Sequence, residues 1–357
     1  MSGGGGDVPE NAPANCPGTS ADEAGRAAAC AGCPNQSACQ SGEASAAAQA
    51  NERVMQDIGA RLSADIRHKV LVLSGKGGVG KSTVAAQLCY ALASLRMVRP
   101  GQNGNGYELN APDNDHDDVL ADVGLLDVDI CGPSAPRLLG VEGMSVSSTA
   151  TGWQPVCSKS GISVMSVGFL LGQRDDAVIW RGVRKTALIT QFLRDVEWGA
   201  LDYLVIDSPP GTSDEHISLV QLLKNAHLDG AVLVTTPQEV SLMDVRKEVD
   251  FCRKSGTYIL GVVENMSAFV CPNCAHCSEL FHKSTGGAQA MCEQYGIPFL
   301  GALPMDPALG FACETGLSIF EGKLADTPGA KALRVIVQNL LDQIQIRSRA
   351  QAQDKSI

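Results

Sequence analysis

The sequence predicts an α/β fold, in which a doubly wound and mostly parallel sheet carries helices on both faces. Short aliphatic runs alternate with helical stretches, and a glycine-rich turn joins the first run to a helix. Continuously apolar strands indicate parallel strands that are covered on both faces. With 357 residues and 44% hydrophobic side chains, the chain has enough apolar surface for one large core. The predicted strands span residues 69–75, 123–130, 202–210, 230–237, 258–266 and 298–304.

One amphipathic helix is predicted on each side of this alternating region. Residues 51–69 carry Val54, Ile58 and Leu62 at spacings of four, and residues 330–346 carry an apolar stripe. Such stripes are typical of helices that pack on a core. Because no apolar run reaches the roughly 18 residues that span a bilayer, we expect no membrane partner. The first 25 residues lack the apolar segment of a secretory signal, so a cytoplasmic location is predicted.

The composition excludes some classes of function. The chain has 39 acidic and 28 basic residues and a formal charge of −11, which argues against a sequence-independent nucleic-acid binder. A small anionic ligand bound by backbone amides stays compatible with this charge. The 13 cysteines are an odd number, and a chain of this length needs no disulfides to hold its core. In a reducing cytosol, clustered cysteines more often bind metal than form disulfides.

The chain divides into an extension, a domain and a tail. Residues 1–50 form a Cys-rich extension with few branched aliphatics, which cannot fold on hydrophobic burial alone. Residues 51–347 form the α/β domain, with an inserted acidic loop at about 97–122 and a cysteine loop at 271–277. The acidic insert has no apolar period, so we expect an exposed loop there. Residues 348–357 are a polar tail.

The glycine-rich turn has the spacing of a phosphate-binding loop. GKGGVGKS, from Gly75 to Ser82, fits G-x-x-x-x-G-K-[ST] and lies between a strand and a helix. Its glycines let backbone N–H groups point at phosphate oxygens, Lys81 would bridge the β- and γ-phosphates, and Ser82 would ligate Mg²⁺. We therefore predict ATP and Mg²⁺ as cofactors. The predicted nucleotide-binding residues of this segment are Gly75, Lys76, Gly77, Gly78, Val79, Gly80, Lys81, Ser82 and Thr83.

A second lysine, Lys76, follows the first glycine of the loop. The loop directs Lys76 away from its own nucleotide. In a face-to-face dimer, however, Lys76 would reach the phosphates of the partner, as an arginine finger does in trans. Lys76 and Lys81 are therefore both predicted to be catalytic, and a homodimer is expected.

Two strand ends supply carboxylates. Asp207 closes LVIDSPPGT, in the position of a Walker-B acid that holds Mg²⁺ directly or through water. Asp127 and Asp129 lie in LLDVDICGPS, where one would orient or deprotonate the attacking water, with Asp129 as the catalytic candidate, and the other would support the metal. Alternatively, either aspartate only caps the following helix. Asn265, at the end of a later strand, is predicted to read the adenine edge.

Four cysteines lie in the extension, namely Cys16, Cys30, Cys33 and Cys39. Four thiolates suffice for one tetrahedral zinc or one four-iron cluster, and the Cys30-x2-Cys33 pair is compatible with either. Zinc sites usually consist of two close pairs. A wide first gap, a loose last gap and the absence of an apolar shell favour a 4Fe–4S cluster, with zinc as the alternative.

A second cysteine group, CPNCAHC, contains Cys271 and Cys274, with Cys277 as a third candidate ligand. One chain cannot supply four thiolates here, but two subunits of a twofold dimer would together hold one cluster on their axis. Alternatively, His276 or His282 would complete a zinc site within one chain. The other cysteines are scattered among aliphatic residues, and most are expected to pack as small hydrophobes.

These segments resemble one known family. GKGGVGKST, GLLDVDICGPS, LVIDSPPGTSDEH and NMSAFVCPNC are similar to the Mrp/NBP group of deviant-Walker P-loop NTPases of the SIMIBI type. This group is related to the Min and Par ATPases and to the nitrogenase iron protein. The similarity runs from about residue 51 to 345. The four N-terminal cysteines are similar to those of the larger subunit of the eukaryotic cytosolic iron–sulfur assembly scaffold.

The resemblance implies a scaffold with weak ATPase activity that assembles 4Fe–4S clusters and transfers them to cytosolic and nuclear apo-proteins. It implies a stable cluster on the four N-terminal cysteines and a labile cluster that Cys271 and Cys274 share between two subunits. A smaller homologous subunit is the implied partner, so hetero-oligomers are expected as well as homodimers. Two alternatives stay open. One is an ATP-gated electron-transfer protein of the nitrogenase-iron-protein kind, and the other is a partitioning ATPase, which the acidic charge disfavours.

Overall fold

Helices and strands alternate along most of the chain. The computed structural model describes residues 8, 11–19, 21–97, 107–109, 119–130, 132–170, 182–211, 214–274 and 276–354. The strands are β1 (Ile66–Leu73), β2 (Leu95–Met97), β3 (Tyr107–Leu109), β4 (Val119–Leu120), β5 (Val123–Asp127), β6 (Ser147–Ser148), β7 (Trp153–Gln154), β8 (Val156–Cys157), β9 (Ser163–Ser166), β10 (Leu201–Asp207), β11 (Gly230–Thr235), β12 (Ile259–Val270), β13 (Cys277–Ser278) and β14 (Phe299–Met305). The α-helices are α1 (Gln36–Ser41), α2 (Glu43–Asp65), α3 (Lys81–Ala93), α4 (Ala135–Leu138), α5 (Gly182–Asp195), α6 (Asp214–Leu222), α7 (Glu239–Ser255), α8 (Gly287–Tyr295), α9 (Pro307–Thr315) and α10 (Pro328–Asp354).

One sheet of nine strands organises the described residues. Its order is β13-β12-β11-β1-β10-β5-β9-β8, and β14 pairs with β12. All of these pairings are parallel except those of β13 with β12 and of β8 with β9. The prediction of a doubly wound, mostly parallel sheet is confirmed. Because β1, β5, β10 and β12 are parallel, they end at the same edge of the sheet, which we call the carboxyl edge.

The two faces of the sheet bury two hydrophobic layers. Along β1, Val70 and Val72 belong to one layer, and Leu71 and Leu73 belong to the other. The first layer includes residues of α3, α4, α9 and α10, and the second includes residues of α2, α5, α6, α7 and α8. This burial on both faces is the reason that the strands are continuous aliphatic runs in the sequence.

The junction between α2 and β1 lies earlier in the chain than predicted. The helix ends at residue 65 and the strand begins at residue 66, not near residue 69. The buried ammonium of Lys69 donates to the carbonyls of Leu62 at 3.4 Å and Ile66 at 2.7 Å. A side chain of the strand therefore provides a hydrogen bond to a backbone carbonyl in the last turn of the helix. Burial lowers the pKa of Lys69. Since α2 begins at Glu43, one helix runs across the predicted boundary between extension and domain.

The acidic insert begins and ends in strands. β2, β3 and β4 form a small antiparallel sheet in the order β3-β2-β4, where a loop was predicted. Pairing of short strands satisfies backbone groups without an apolar period, so the sequence pattern did not reveal it. Residues 98–106 and 110–118 of the insert lie outside the described residues.

The last helix is longer than its apolar stripe. α10 continues to Asp354, so the predicted polar tail begins inside a helix, and residues 355–357 lie outside the described part. In this polar portion the hydroxyl of Ser348 donates to the carbonyl of Ile344 at 2.9 Å. Among the residues that the structure describes, no helix has the length and apolar character needed to cross a membrane.

Helix α7 buries a carboxyl group that has no partner. Glu248 is 0% exposed, and neither side-chain oxygen has a hydrogen-bond partner among the described residues. Burial, followed by the charge of Asp244, raises the pKa of Glu248 from 4.5 to about 7. Between these two pH values the folded chain keeps the proton and the unfolded chain releases it. Stability therefore falls as the pH rises through this window.

We expect Glu248→Gln to stabilise the chain more at pH 8 than at pH 5, because glutamine cannot ionise. We expect the stabilisation to be about 2 kcal/mol larger at pH 8 than at pH 5, somewhat less than the full pKa shift would give. Thermal unfolding of parent and variant at both pH values measures it. An effect of equal size at pH 5 and pH 8 would show that the ionisation of Glu248 does not contribute to the pH dependence of stability.

Candidate nucleotide site and cysteine hairpin

The glycine-rich loop lies at the carboxyl edge, between β1 and α3. Gly78 and Gly80 have φ values of +81° and +83°, in the left-handed region that favours glycine. An added Cβ on Gly75 would lie 2.5 Å from the Cβ of Asp244 on α7, whereas one on Gly77 would meet nothing within 4 Å. The loop is thus packed against α7 at Gly75 and open at Gly77.

The structure brings four predicted side chains together beside this loop. Lys81, the first residue of α3, is 6% exposed. Its Nζ donates to Oδ1 of Asp207 at 2.5 Å and to Oγ of Ser82 at 3.3 Å, and it lies 4.0 Å from Oδ2 of Asp129. One cation therefore faces two carboxylates and a hydroxyl at the carboxyl edge.

Asp207 keeps one oxygen for a further ligand. Its Oδ2 is buried and has no hydrogen-bond partner among the described residues. A carboxylate oxygen near the hydroxyl of Ser82 is the donor chemistry that Mg²⁺ takes, and water and phosphate oxygens fill its other positions. The residues present therefore fit a magnesium–nucleotide complex.

Asp127 has a different environment. Its Oδ1 accepts from the N–H of Asp129 at 3.0 Å, and its Oδ2 accepts from the N–H of Ala135 at 3.2 Å and the hydroxyl of Ser166 at 3.0 Å. Since Ala135 begins α4, Asp127 caps the following helix, which is the alternative considered from the sequence. Burial, followed by the charge of Asp207, raises the pKa of Asp127 to about 7. Of the two, Asp129 has an oxygen 4.0 Å from Nζ of Lys81, and its catalytic role stays a prediction.

A buried histidine beside the Walker-B strand was not singled out from the sequence. His216 on α6 is 0% exposed, and its Nε2 lies 3.2 Å from Oγ of Ser208, the residue after Asp207. Burial, followed by the charge of Lys81, lowers the pKa of His216 to about 4, so the ring is neutral at pH 7. The only sequence signal was its place in the SPPGTSDEH segment, where a lone histidine is ordinarily a core residue.

Asn265 contacts the phosphate-binding loop. Its Nδ2 donates to the carbonyl of Val79 at 2.8 Å, and an added Cβ on Gly80 would lie 2.2 Å from the same nitrogen. The residue is 5% exposed. Asn265 thus supports the loop, while the predicted contact with adenine stays a prediction.

Two further predicted nucleotide residues lie around the loop. Lys76 is half-buried, and its carbonyl accepts from the hydroxyl of Ser74 at 3.1 Å. The side chain of Thr83 hydrogen-bonds the thiol of Cys313 on α9. Thr83 therefore contacts α9, whereas Ser82 contacts Lys81.

The second cysteine group forms a β-hairpin that extends from β12. β12 and β13 pair in antiparallel fashion, Cys277 lies on β13, and Cys271 and Cys274 lie in the turn. The N–H of Cys271 donates to the carbonyl of His276 at 3.0 Å. Cys274 and Cys277 are exposed and Cys271 is partly exposed. We call residues 269–274 and 276–278 the cysteine hairpin.

The thiol of Cys271 is stabilised as a thiolate. Hydrogen bonds from the backbone N–H groups of Asn273 and Cys274, together with the Cys274 side chain, lower the pKa of Cys271. Hydrogen bonds to a charged form favour that form, and the thiolate is the form that ligates metal. Cys271 and Cys274 are therefore hydrogen-bonded neighbours in the turn, and Cys277 lies on β13.

The extension carries its four cysteines on turns and one short helix. Cys30 ends a 3₁₀ turn that begins at Ala28, Cys33 follows that turn, and Cys39 lies on α1. Cys30 is 6% exposed, whereas Cys16, Cys33 and Cys39 are partly exposed.

The chain before Cys30 folds back onto α1. The side-chain amides of Gln36 and Gln40 donate to the carbonyl of Gly25 at 3.2 Å and 2.8 Å. Gly25 has a φ of +72°, and an added Cβ would lie 2.7 Å from Cγ of Gln40. The extension therefore has a specific local structure without a large apolar core.

Neither cysteine group forms a closed metal site within the described part of the chain. Among those residues, no group of three or more His, Cys, Asp or Glu side chains lies close enough to hold a metal ion. No disulfide joins any of the twelve cysteines there, and Cys131 lies outside the described residues. The predicted ligand sets stay predictions, which rest on the donor chemistry of the thiols.

The parallel sheet, the phosphate-binding loop and the carboxylates at the strand ends define a P-loop NTPase with a ParA/MinD-like fold. The cell division ATPase MinD of Pyrococcus furiosus is 21% identical, with a TM-score of 0.50, over 77% of this chain and 98% of that chain. The septum site-determining protein MinD of Pyrococcus horikoshii, solved with Mg-ADP, is 19% identical, with a TM-score of 0.51, over 79% of this chain and 98% of that chain. At these identities the likeness shows the fold alone.

Within this class the family is specific. A model of the ParA group, described as NUBPL iron-transfer P-loop NTPase, matches residues 65–98 and 117–341, and the chain belongs to this family. A nucleotide-binding protein of Archaeoglobus fulgidus, solved in complex with ADP, is 35% identical, with a TM-score of 0.58, over 76% of this chain and 96% of that chain. The resemblance to the Mrp/NBP group is confirmed.

Proposed function

We propose that the chain is an ATP-dependent scaffold that assembles 4Fe–4S clusters and transfers them to cytosolic and nuclear apo-proteins. The observation that carries this proposal is that β1 leads into the nucleotide loop and β12 leads into the cysteine hairpin. Only β11 separates these two parallel strands. The strand axes are therefore about 10 Å apart, so the nucleotide loop and the cysteine hairpin follow from nearby strands of one sheet. Membership of an iron-transfer NTPase family supports the proposal.

The exposure of the hairpin thiols favours transfer over storage. Cys274 and Cys277 are exposed, so a cluster held there would stay accessible to the thiols of an acceptor. Transfer requires that access, because each ligand thiolate must be exchanged for one of the acceptor. An electron-transfer centre has no such requirement. The cluster on the hairpin is accordingly the cargo of the scaffold.

The four thiols of the extension fit a resident cluster by their chemistry. Cys16, Cys30, Cys33 and Cys39 provide the four thiolates that a 4Fe–4S cluster takes, and a cluster there would supply a stable redox centre. The contacts of Gln36 and Gln40 order the chain before Cys30. Helix α2 begins shortly after Cys39 and continues into the domain, so the extension has a defined connection to the nucleotide site.

The nucleotide site would bind ATP tightly and hydrolyse it slowly. The loop and Lys81 would hold the phosphates, Ser82 and Asp207 would hold Mg²⁺, and Asp129 would orient the attacking water. Binding and release of ATP would then control the state of the scaffold, and slow hydrolysis would end the ATP-bound state.

A dimer completes the cargo site. The hairpin offers two or three thiols per chain, so four ligands require a second subunit related by a twofold axis. A second copy of this chain or a smaller homologous subunit would meet the requirement. Apo iron–sulfur proteins are the further partners in this proposal.

Lys76→Ala is expected to weaken the ATP-dependent dimer by about thirtyfold. Loss of one partner of a buried charge pair across an interface costs about 2 kcal/mol or more, and each 1.4 kcal/mol is a factor of ten. Light scattering after gel filtration, with Mg²⁺ and a non-hydrolysable ATP analogue, measures the dimer fraction. Lys331→Ala, at an exposed position of α10, is the control. Unchanged dimerisation and unchanged hydrolysis in Lys76→Ala would refute the role in trans.

Cluster transfer tests the proposed function. The parent chain is reconstituted anaerobically with iron and sulfide, mixed with an apo form of a 4Fe–4S protein, and separated from it. We expect iron and sulfide to appear together in the acceptor, and the rate to depend on ATP. Complete retention of iron by the donor, with reversible reduction of its cluster, would indicate an electron-transfer protein and not a scaffold.

A further inference from the structure

Strand β12 connects the two sites directly. Asn265 donates from its Nδ2 to the carbonyl of Val79 in the phosphate-binding loop at 2.8 Å, and the last residues of the same strand belong to the cysteine hairpin. The contact is tight, since an added Cβ on Gly80 would lie 2.2 Å from that nitrogen. Any movement of the loop backbone around phosphate therefore acts on Asn265.

The strand is irregular between these two contacts. Asn265 pairs with Leu303 and Phe269 pairs with Met305, a step of four residues on β12 against two on β14. Within this bulge Met266 has a φ of +56°, a left-handed backbone that side chains disfavour. The N–H of Met266 donates to Oδ1 of Asn265 at 2.9 Å. A bulge bends its strand and increases the local twist, and strained residues concentrate at switch regions.

A buried carboxylate on β12 holds the segment that follows the cysteine hairpin. Glu264 is 2% exposed, its Oε1 accepts from Nζ of Lys283 at 2.7 Å, and its Oε2 accepts from the N–H of Ala288 on α8 at 2.7 Å. Nearby, the hydroxyl of Thr285 donates to Oε2 of Glu239, the first residue of α7, at 2.5 Å. The chain that returns from the hairpin is therefore fixed to β12 and to α7.

We infer that Glu264 and Lys283 are positioning residues that transmit the state of the phosphate-binding loop to the cysteine hairpin, with Met266 as the hinge. The inference rests on the proposed function, because it assigns the way in which ATP acts on the cargo thiols. Glu264 and Asn265 are adjacent on one strand and face opposite sides of it. A shift of Asn265 with the loop therefore displaces Glu264, and Lys283 carries that displacement to the segment that returns from the hairpin.

Thiol reactivity measures this coupling without a cluster. The apo chain is treated with iodoacetamide, with and without Mg²⁺ and a non-hydrolysable ATP analogue, and peptide mass spectrometry follows each cysteine. Cys157 is an exposed thiol on β8, at the other end of the strand order, and serves as the internal reference. In the parent chain we expect the analogue to change the rate at Cys274, relative to Cys157, by about fivefold or more.

Variants of Lys283 separate coupling from structure. Lys283 is 29% exposed, and its replacement leaves the buried Glu264 with the N–H of Ala288 as its partner among the described residues, so the folding of each variant is checked first. Lys283→Met is expected to reduce the nucleotide effect to less than about twofold, and Lys283→Arg, which keeps the ion pair, is expected to retain it. Lys283→Gln removes the charge in a second way, should Lys283→Met not fold. Lys331→Met, at an exposed position of α10, is the matched control.

A nucleotide effect that persists in a folded Lys283→Met or Lys283→Gln chain would overturn the inference, and so would a parent chain that shows no effect. Binding of the same ATP analogue to each variant establishes that its loop is intact. None of these outcomes depends on iron, sulfide or cluster transfer. Failure of the coupling is therefore distinguishable from failure of the proposed function.

Discussion

Asp129→Asn is expected to lower the rate of ATP hydrolysis about 10³-fold, the middle of the range for loss of a general base. Asp129 is 8% exposed, and its Oδ2 lies 4.0 Å from Nζ of Lys81. Its carboxylate is therefore placed to accept a proton from water at the γ-phosphate, a role that an amide cannot fill. Affinity for ATP should change little, because the loop and Lys81 supply the phosphate contacts. Single-turnover hydrolysis and equilibrium binding of ATP measure the two effects.

Asp127→Asn is the matched control for this prediction. Asp127 lies two residues earlier, and its carboxylate accepts the N–H of Ala135 at the start of α4. An asparagine whose oxygen takes the place of Oδ2 keeps the acceptor for that N–H and loses the acceptor for the N–H of Asp129, so hydrolysis should fall by less than about tenfold. Equal losses in the two variants, or normal hydrolysis in Asp129→Asn, would contradict the assignment of Asp129.

Cys271→Ala and Cys274→Ala are each expected to abolish the labile cluster. Four irons in the extension and four shared by a dimer give about six irons per chain, so either variant should retain about four. Cys16→Ala should retain about two irons per chain, all of them on the hairpin. Iron and sulfide analysis after anaerobic reconstitution measures these contents.

Cys277→Ala is the control for the hairpin ligands. Cys271 has the backbone hydrogen bonds that stabilise a thiolate, whereas Cys277 lies on β13, in the ladder with β12. We expect the Cys277 variant to keep the iron content of the parent. A loss as large as that of Cys271→Ala would indicate that Cys277 is a ligand. Unchanged iron in Cys271→Ala would show that the hairpin holds no cluster.

Features that depend on residues close together in the chain could be predicted from the sequence. The phosphate-binding loop needs glycines, a lysine and a serine at fixed spacing, and all of them lie between Gly75 and Ser82. The strands could be predicted because burial on both faces makes them continuously apolar. Strand β9 was missed, since Ser163 and Ser166 leave only Val164 and Met165 as an aliphatic run. That strand nonetheless provides the hydroxyl that binds Asp127.

Features that depend on distant contacts could not be predicted. Which of Asp127 and Asp129 caps a helix depends on where α4 and β9 pack, and the sequence gives no measure of that. The pair of Glu264 and Lys283 joins residues 19 apart across the cysteine hairpin. The left-handed backbone of Met266 has no residue signature, because glycine is the usual occupant of that conformation.

The metal content of the native chain tests the central claim most directly. The parent chain is expressed and purified anaerobically, without reconstitution, and iron, acid-labile sulfide and zinc are counted per chain. A chain that assembles 4Fe–4S clusters on both cysteine groups should contain from about four irons, where the labile cluster is lost, to about six, with an equal amount of sulfide and no stoichiometric zinc. Zinc in place of iron and sulfide would contradict the account.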